Sequence, residues 1–109
     1  MINWPAIIKH SDDSELIYVS DQVQWDGDTG LHSFEYDETD LLIDSSGRVF
    51  DITKRERGVV KARANGDVIE LKVILGLVKA HAAQNGSCCV AKLYAPTIRE
   101  AYKIVESLD

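Results

Sequence analysis

The sequence predicts an α+β domain: a mostly antiparallel sheet of about five or six strands with two helices packed on one face. Three observations predict it. Short β-branched or alternating runs, broken by turn residues, fill the first part of the chain. Two stretches of helical periodicity follow, one from about residue 68 to 85 and one opening at Pro96-Thr97. A short strand candidate, Cys88 to Tyr94, separates them. The 109 residues fit one domain, 1–109, without internal repeats or linkers.

The elements are justified in chain order. Ala6 to Lys9 reads as a short strand after Pro5, and the polar run His10-Ser11-Asp12-Asp13-Ser14 as a turn. Glu15 to Val19, aliphatic and β-branched, reads as its hairpin partner. In residues 20–39, Asp21 is placed to cap a short helical turn through Val23 and Trp25. Asp26-Gly27-Asp28-Thr29-Gly30 then forms a loop, and Leu31 to Tyr36 is a weak strand or part of the same excursion. Asp40 to Asp44 and Arg48 to Ile52 flank Ser45-Ser46-Gly47, where the glycine suits a left-handed residue closing a three-residue hairpin loop. A charged break at Thr53 to Gly58 precedes a strand at Val59 to Arg63, which Asn65-Gly66 ends.

Two readings compete after that point. Asn-Gly is a hairpin signal, and Ile69, Leu71 and Val73 alternate with Glu70 and Lys72 as a strand does. Asp67 with Glu70 is also a helix-start pattern, and the helical reading runs unbroken to Asn85-Gly86. The helix, about 68 to 85, is preferred. Its solvent stripe is Lys72, Gly76, Lys79 and Ala83, leaving it buried on most sides. In the closing helix, Thr97 and Glu100 form a capping box, and Ile98, Ala101, Tyr102, Val105 and Leu108 form the apolar stripe.

Composition bounds the function classes. Apolar residues make up 45% and charged residues 28%, so a core can form without metal or disulfide support. The longest apolar-rich stretch, Val68 to Ala83, is interrupted by Glu70, Lys72, Lys79 and His81, which excludes a membrane span there. No basic-then-apolar leader opens the sequence, so a cytoplasmic setting is expected. Cys88 and Cys89 are adjacent and point to opposite sides of an extended chain, which disfavours a bridge between them. Residues 1–52 carry twelve acids against Lys9 and Arg48, a net of −10. Residues 53–109 carry ten bases against six acids, a net of +4, and the whole chain sums to −6. An acidic chain of this kind is a poor general binder of nucleic acid.

The chemistry-bearing residues yield a short list. Cys88 is a candidate reactive thiol, with His81 or His10 as its base and Lys92 on the same strand face. Four strand residues span roughly 13 Å, so Cys88 and Lys92 do not touch directly. The bland alternative is two small, buried strand cysteines, with His81 holding the last turn of its helix or a carbonyl in the following turn. The basic run Lys54, Arg55, Arg57, Lys61 and Arg63 suits phosphate, nucleic acid or an acidic surface, or is an ordinary solvated face. No metal site is expected, since the two cysteines with His10, His32 and His81 lack ligand spacing. The run from Asp26 fails as a calcium loop at Leu31, where glycine is required. The seven glycines form no phosphate-cradling loop, no serine elbow is present, and no cofactor is expected.

Trp4-Pro5-Ala6-Ile7-Ile8-Lys9, His81-Ala82, Cys88-Cys89-Val90-Ala91-Lys92-Leu93 and the closing helix together resemble a small family of uncharacterised bacterial proteins, a domain of unknown function. The resemblance covers nearly the whole chain. It implies one bacterial cytosolic domain and favours the helix after Asp67, and it implies no reaction. The expected role is a non-enzymatic interaction or accessory module, meeting a protein partner or a second copy of itself. A small-molecule binder or enzyme using Cys88, His81 and Lys92, and a weak nucleic-acid contact through Lys54 to Arg63, are the alternatives.

Overall fold

The computed structural model describes residues 2–10, 13–33, 36, 39–56, 59–86 and 90–108, with backbone only at 33, 53–56, 59 and 91. Five strands form one antiparallel sheet: β1 (Ala6–Lys9), β2 (Leu16–Val19), β3 (Leu41–Asp44), β4 (Arg48–Glu56) and β5 (Val59–Val68), in the order β2-β1-β3-β4-β5. β1 pairs on both sides, so Ile8 lies between Ile17 of β2 and Leu42 of β3. Its apolar Ala-Ile-Ile run is explained by burial on both faces, where no position can be polar without a partner.

Each face has its own helical cover. The long helices α3 (Leu71–Gln84) and α4 (Ile98–Leu108) pack on Ile7, Leu16, Ile43 and Val49 through Ile74, Val78, Ala101, Tyr102 and Val105. This is the α+β arrangement expected, with both long helices on one face. The opposite face, Ala6, Ile8, Val19, Leu42, Phe50, Ile52 and Val60, packs on Trp25 of α1 (Gln22–Gly27) and Leu31 of α2 (Thr29–Ser33). At about 1.5–3 kcal/mol for each large apolar side chain buried, these two clusters supply the main stabilising term.

The structure differs from the sequence reading at five places. Asp26–Gly30 is not a loop, nor are Leu31–Ser33 extended. α1 runs through Gly27, and Asp28 starts α2 by accepting from the Gly30 and Leu31 N–H groups at 2.9 and 3.2 Å. The charged break at Thr53 is strand, since β4 continues to Glu56. β5 does not stop at Asn65-Gly66. Between the pairs Phe50↔Ala64 and Arg48↔Val68, β5 advances four residues while β4 advances two. Gly66, at φ 92°, and Asp67, whose N–H donates to Asn65 Oδ1 at 2.8 Å, absorb the difference as a bulge.

Consequently α3 starts at Leu71 rather than 68. Its cap is Glu70, without a side-chain cap bond, and Asp67 has no capping role. It also covers less than expected: Lys72, Gly76 and Ala83 face solvent, but so do Val73, 53% exposed, and Ala80. Finally, the expected strand Cys88 to Tyr94 contains a 3-10 turn, Val90–Lys92, closed by the Leu93 N–H on the Val90 carbonyl at 3.0 Å. Val90 and Leu93 are half-buried on this irregular connection, and Ala95 beyond it is buried in the core under α3 and α4. Cys88 and Cys89 lie outside the described residues.

Candidate functional site

His81 is fully buried in the last turns of α3. Its Nδ1 accepts the Leu16 N–H at 2.9 Å, which ties the helix to the first residue of β2. Asn85 Nδ2 donates to the His81 carbonyl at 2.9 Å and stands 3.4 Å from the ring Nδ1. The ring's partner is thus a backbone N–H, where the sequence reading expected a carbonyl in the turn after the helix. Lys92 is exposed on the 3-10 turn, which packs against α3. The third member of the candidate cluster, Cys88, lies outside the described residues.

The basic run is a strand feature. Lys54 and Arg55 belong to β4, Lys61 and Arg63 to β5, and Arg57 falls outside the described residues. Lys61 and Arg63 are two apart, so their exposed side chains share one face. They pair across the ladder with Thr53 and Asp51. The Asp51 carboxylate accepts from Asn65 Nδ2 at 3.0 Å.

Three further groups of titratable residues have no assignment from sequence beyond His10 as an alternative base for Cys88. Buried His32 of α2 accepts the Val60 N–H on Nδ1 at 2.9 Å, which leaves Nε2 to donate to the Trp25 carbonyl at 2.5 Å. The ring meets Trp25 edge-on at 5.4 Å. Asp44 is fully buried at the end of β3. Its Oδ1 accepts the N–H groups of Ser46 and Arg48, both at 3.0 Å, and its Oδ2 accepts the Asn3 N–H at 3.1 Å. Its carbonyl accepts the Tyr102 hydroxyl at 3.2 Å, and burial holds that phenol above its ordinary pKa.

His10, after β1, stands 3.3 Å from Asp40 and stacks on Tyr36 at 5.8 Å. Tyr36 donates to the Leu31 carbonyl at 2.8 Å, and burial first, then the charge of Asp40, pushes its phenol up to about 12. Beside them Lys9 donates to the carbonyls of His10 and Asp13. The Asp13 carboxyl is held below its usual range by the Glu15 N–H and the Gln84 amide. Among the described residues no group of three or more His, Cys, Asp or Glu is placed to hold a metal ion. Only Asp44 carries a sequence signal, since aspartate opening a Ser-Ser-Gly turn is a turn-forming pattern. The bonds that His32 and His81 make have no such signal, because their partners are distant backbone amides.

One family model matches residues 4–105, from Trp4 through Val105. The chain belongs to DUF4144. The family is described as a protein structure with unknown function, which agrees with the resemblance carried by Trp4-Pro5 and the His81-to-Leu93 segment. A solved relative in fold is the protein in "NMR structure of the protein from Shewanella Amazonensis". It is 21% identical, with a TM-score of 0.73 over 100% of this chain and 91% of that one. At that identity the likeness shows the fold alone. None of the curated proteins matches the chain. The DUF4144 match therefore fixes kinship and architecture, and supports no specific role.

Proposed function

We propose that this DUF4144 chain is a protein-interaction module whose working surface is the β4–β5 ribbon. One observation carries the reading. The four buried polar side chains described, His32, Asp40, Asp44 and His81, all have partners inside the fold, while the outer side of β5 has no strand beside it among the described residues. Groups tied to backbone amides hold a scaffold, whereas an edge strand is a template for another chain. A cytosolic setting and a bacterial source belong to the same proposal. They are supported by the adjacent cysteines and by the Shewanella likeness. No helix is long and apolar enough to cross a membrane among the described residues.

Carbodiimide cross-linking in an extract of the source cells, with the joined lysines mapped, tests the reading. Cross-links to a partner are expected at Lys61 on β5. Links confined to Lys72 and Lys103 on the helix face, or none at all, contradict it. Links between two copies identify the partner as the chain itself.

A further inference from the structure

We infer that the outer edge of β5, from Ala62 to Gly66, takes an extended acidic segment of a partner protein as an added strand. The inference rests on the reading above and names the partner's chemistry. The Val60 N–H donates to His32 of α2 rather than to β4, so the backbone of Val60 faces outward. By the alternation of an antiparallel ladder, the backbones of Ala62 and Ala64 face outward as well. α2 therefore closes this edge at Val60 by a side chain, and beyond it β5 runs on with Ala62 half-buried and Ala64 exposed. Side chains this small leave room for a strand at about 4.8 Å. Four residue steps from Ala62 to Gly66 give roughly 13 Å of edge, room for four or five partner residues.

Charge selects the occupant. A strand laid beside β5 sets alternate side chains against Lys61 and Arg63 on one face and against Ala62 and Ala64 on the other. The matching sequence alternates acidic with small apolar residues. By sequence, the span 51–63 holds Lys54, Arg55, Arg57, Lys61 and Arg63 against Asp51 and Glu56. Asp51, the acid across from Arg63, already accepts from Asn65. A second copy paired through the same edge with Ala62 opposite Ala64 sets Arg63 directly against Arg63, and like charges directly opposite destabilise a sheet. Nucleic acid has no backbone that completes a β ladder, and the chain's net charge of −6 opposes a polyanion.

The test is an NMR titration of the full chain with capped peptides of about eight residues alternating Asp and Val. Controls carry Ser or Lys for Asp, or N-methyl groups on alternate amides. The acidic peptide should bind roughly tenfold or more tightly than the Ser peptide, and Arg63→Glu should remove that advantage without unfolding the chain, since Arg63 is exposed. The amides of Ala62 and Ala64 should shift most, and N-methylation should abolish binding. If the Ser peptide binds the same amides equally well, the acidic class is wrong and the interaction-module reading stands. If no peptide perturbs β5 while a single-stranded oligonucleotide does, both fail. If neither perturbs β5, the inference is overturned, and the cross-linking decides the reading separately.

Discussion

His81 and His32 perform one task at the two edges of the sheet. Each offers Nδ1 to a backbone N–H of an edge strand, Leu16 in β2 and Val60 in β5. Removing the ring leaves a buried donor unsatisfied and a cavity beside it, which costs about 2–4 kcal/mol. Urea denaturation of His81→Ala at neutral pH should show a loss of that size. Lys92→Ala, an exposed change, should stay within about 0.5 kcal/mol. A stable His81→Ala chain would remove the structural role. The buried phenols of Tyr36 and Tyr102 make a second prediction at this scale. Both titrate higher folded than the ordinary tyrosine value near 10. The unfolded chain therefore holds fewer protons above that pH. Their contribution is whole below pH 10 and is lost as pH rises toward 12 and beyond. Denaturation midpoints should fall across that window, and less steeply in Tyr102→Phe, which also loses about 1 kcal/mol with its bond to Asp44. Equal slopes would contradict the account.

At the scale of elements, the β3–β4 turn is the point where most of the chain is tied together. Asp44 binds it to Asn3, the Ser45 N–H donates to the Asn3 carbonyl at 2.9 Å, and the Gly47 carbonyl accepts the Ile69 N–H at 2.7 Å. Gly47 sits at φ 84°, and a Cβ there would meet the Ile69 carbonyl oxygen at 2.4 Å. Gly47→Ala should cost about 2 kcal/mol or more, from left-handed strain and the clash together. Gly76, in α3 with nothing within 4 Å of a built Cβ, should instead gain about 0.5–1 kcal/mol on Gly76→Ala. Comparing the two melting curves checks the pair. Elements with local signals were legible in the sequence. These include the Ser45-Ser46-Gly47 turn, the Asp21 cap of α1 and the Thr97 cap of α4, where the Glu100 N–H donates to Thr97 Oγ1 at 3.1 Å. Elements set by tertiary context were not. Asn65-Gly66 makes a bulge because Val68 still pairs with Arg48, and residues 90–92 make a 3-10 turn despite their alternation. The candidate site was legible only as basic residues, since the edge position of β5 depends on strand order.

At the scale of the whole molecule, the sheet is covered on both faces and differs at its two edges. β2 is four residues long, packs against α4 and is bonded by His81. β5 is ten residues long, and among the described residues His32 holds its outer edge near the start, at Val60. The acidic first half supplies α1, α2 and most of the face beneath them, while Lys61 and Arg63 stand on β5 in the basic second half. On the proposed reading this division separates a scaffold, held by buried polar side chains, from the β5 edge that receives a partner strand. The scaffold claim and the open-edge claim meet in one measurement, residue-resolved amide hydrogen exchange of the free chain. Leu16 and Val60, edge amides received by histidines, should exchange slowly, with Ile8 of the central sheet, while Ala62 and Ala64 exchange orders of magnitude faster. Protection of Ala62 and Ala64 equal to that of Ile8 would show the edge to be closed, and would contradict the account.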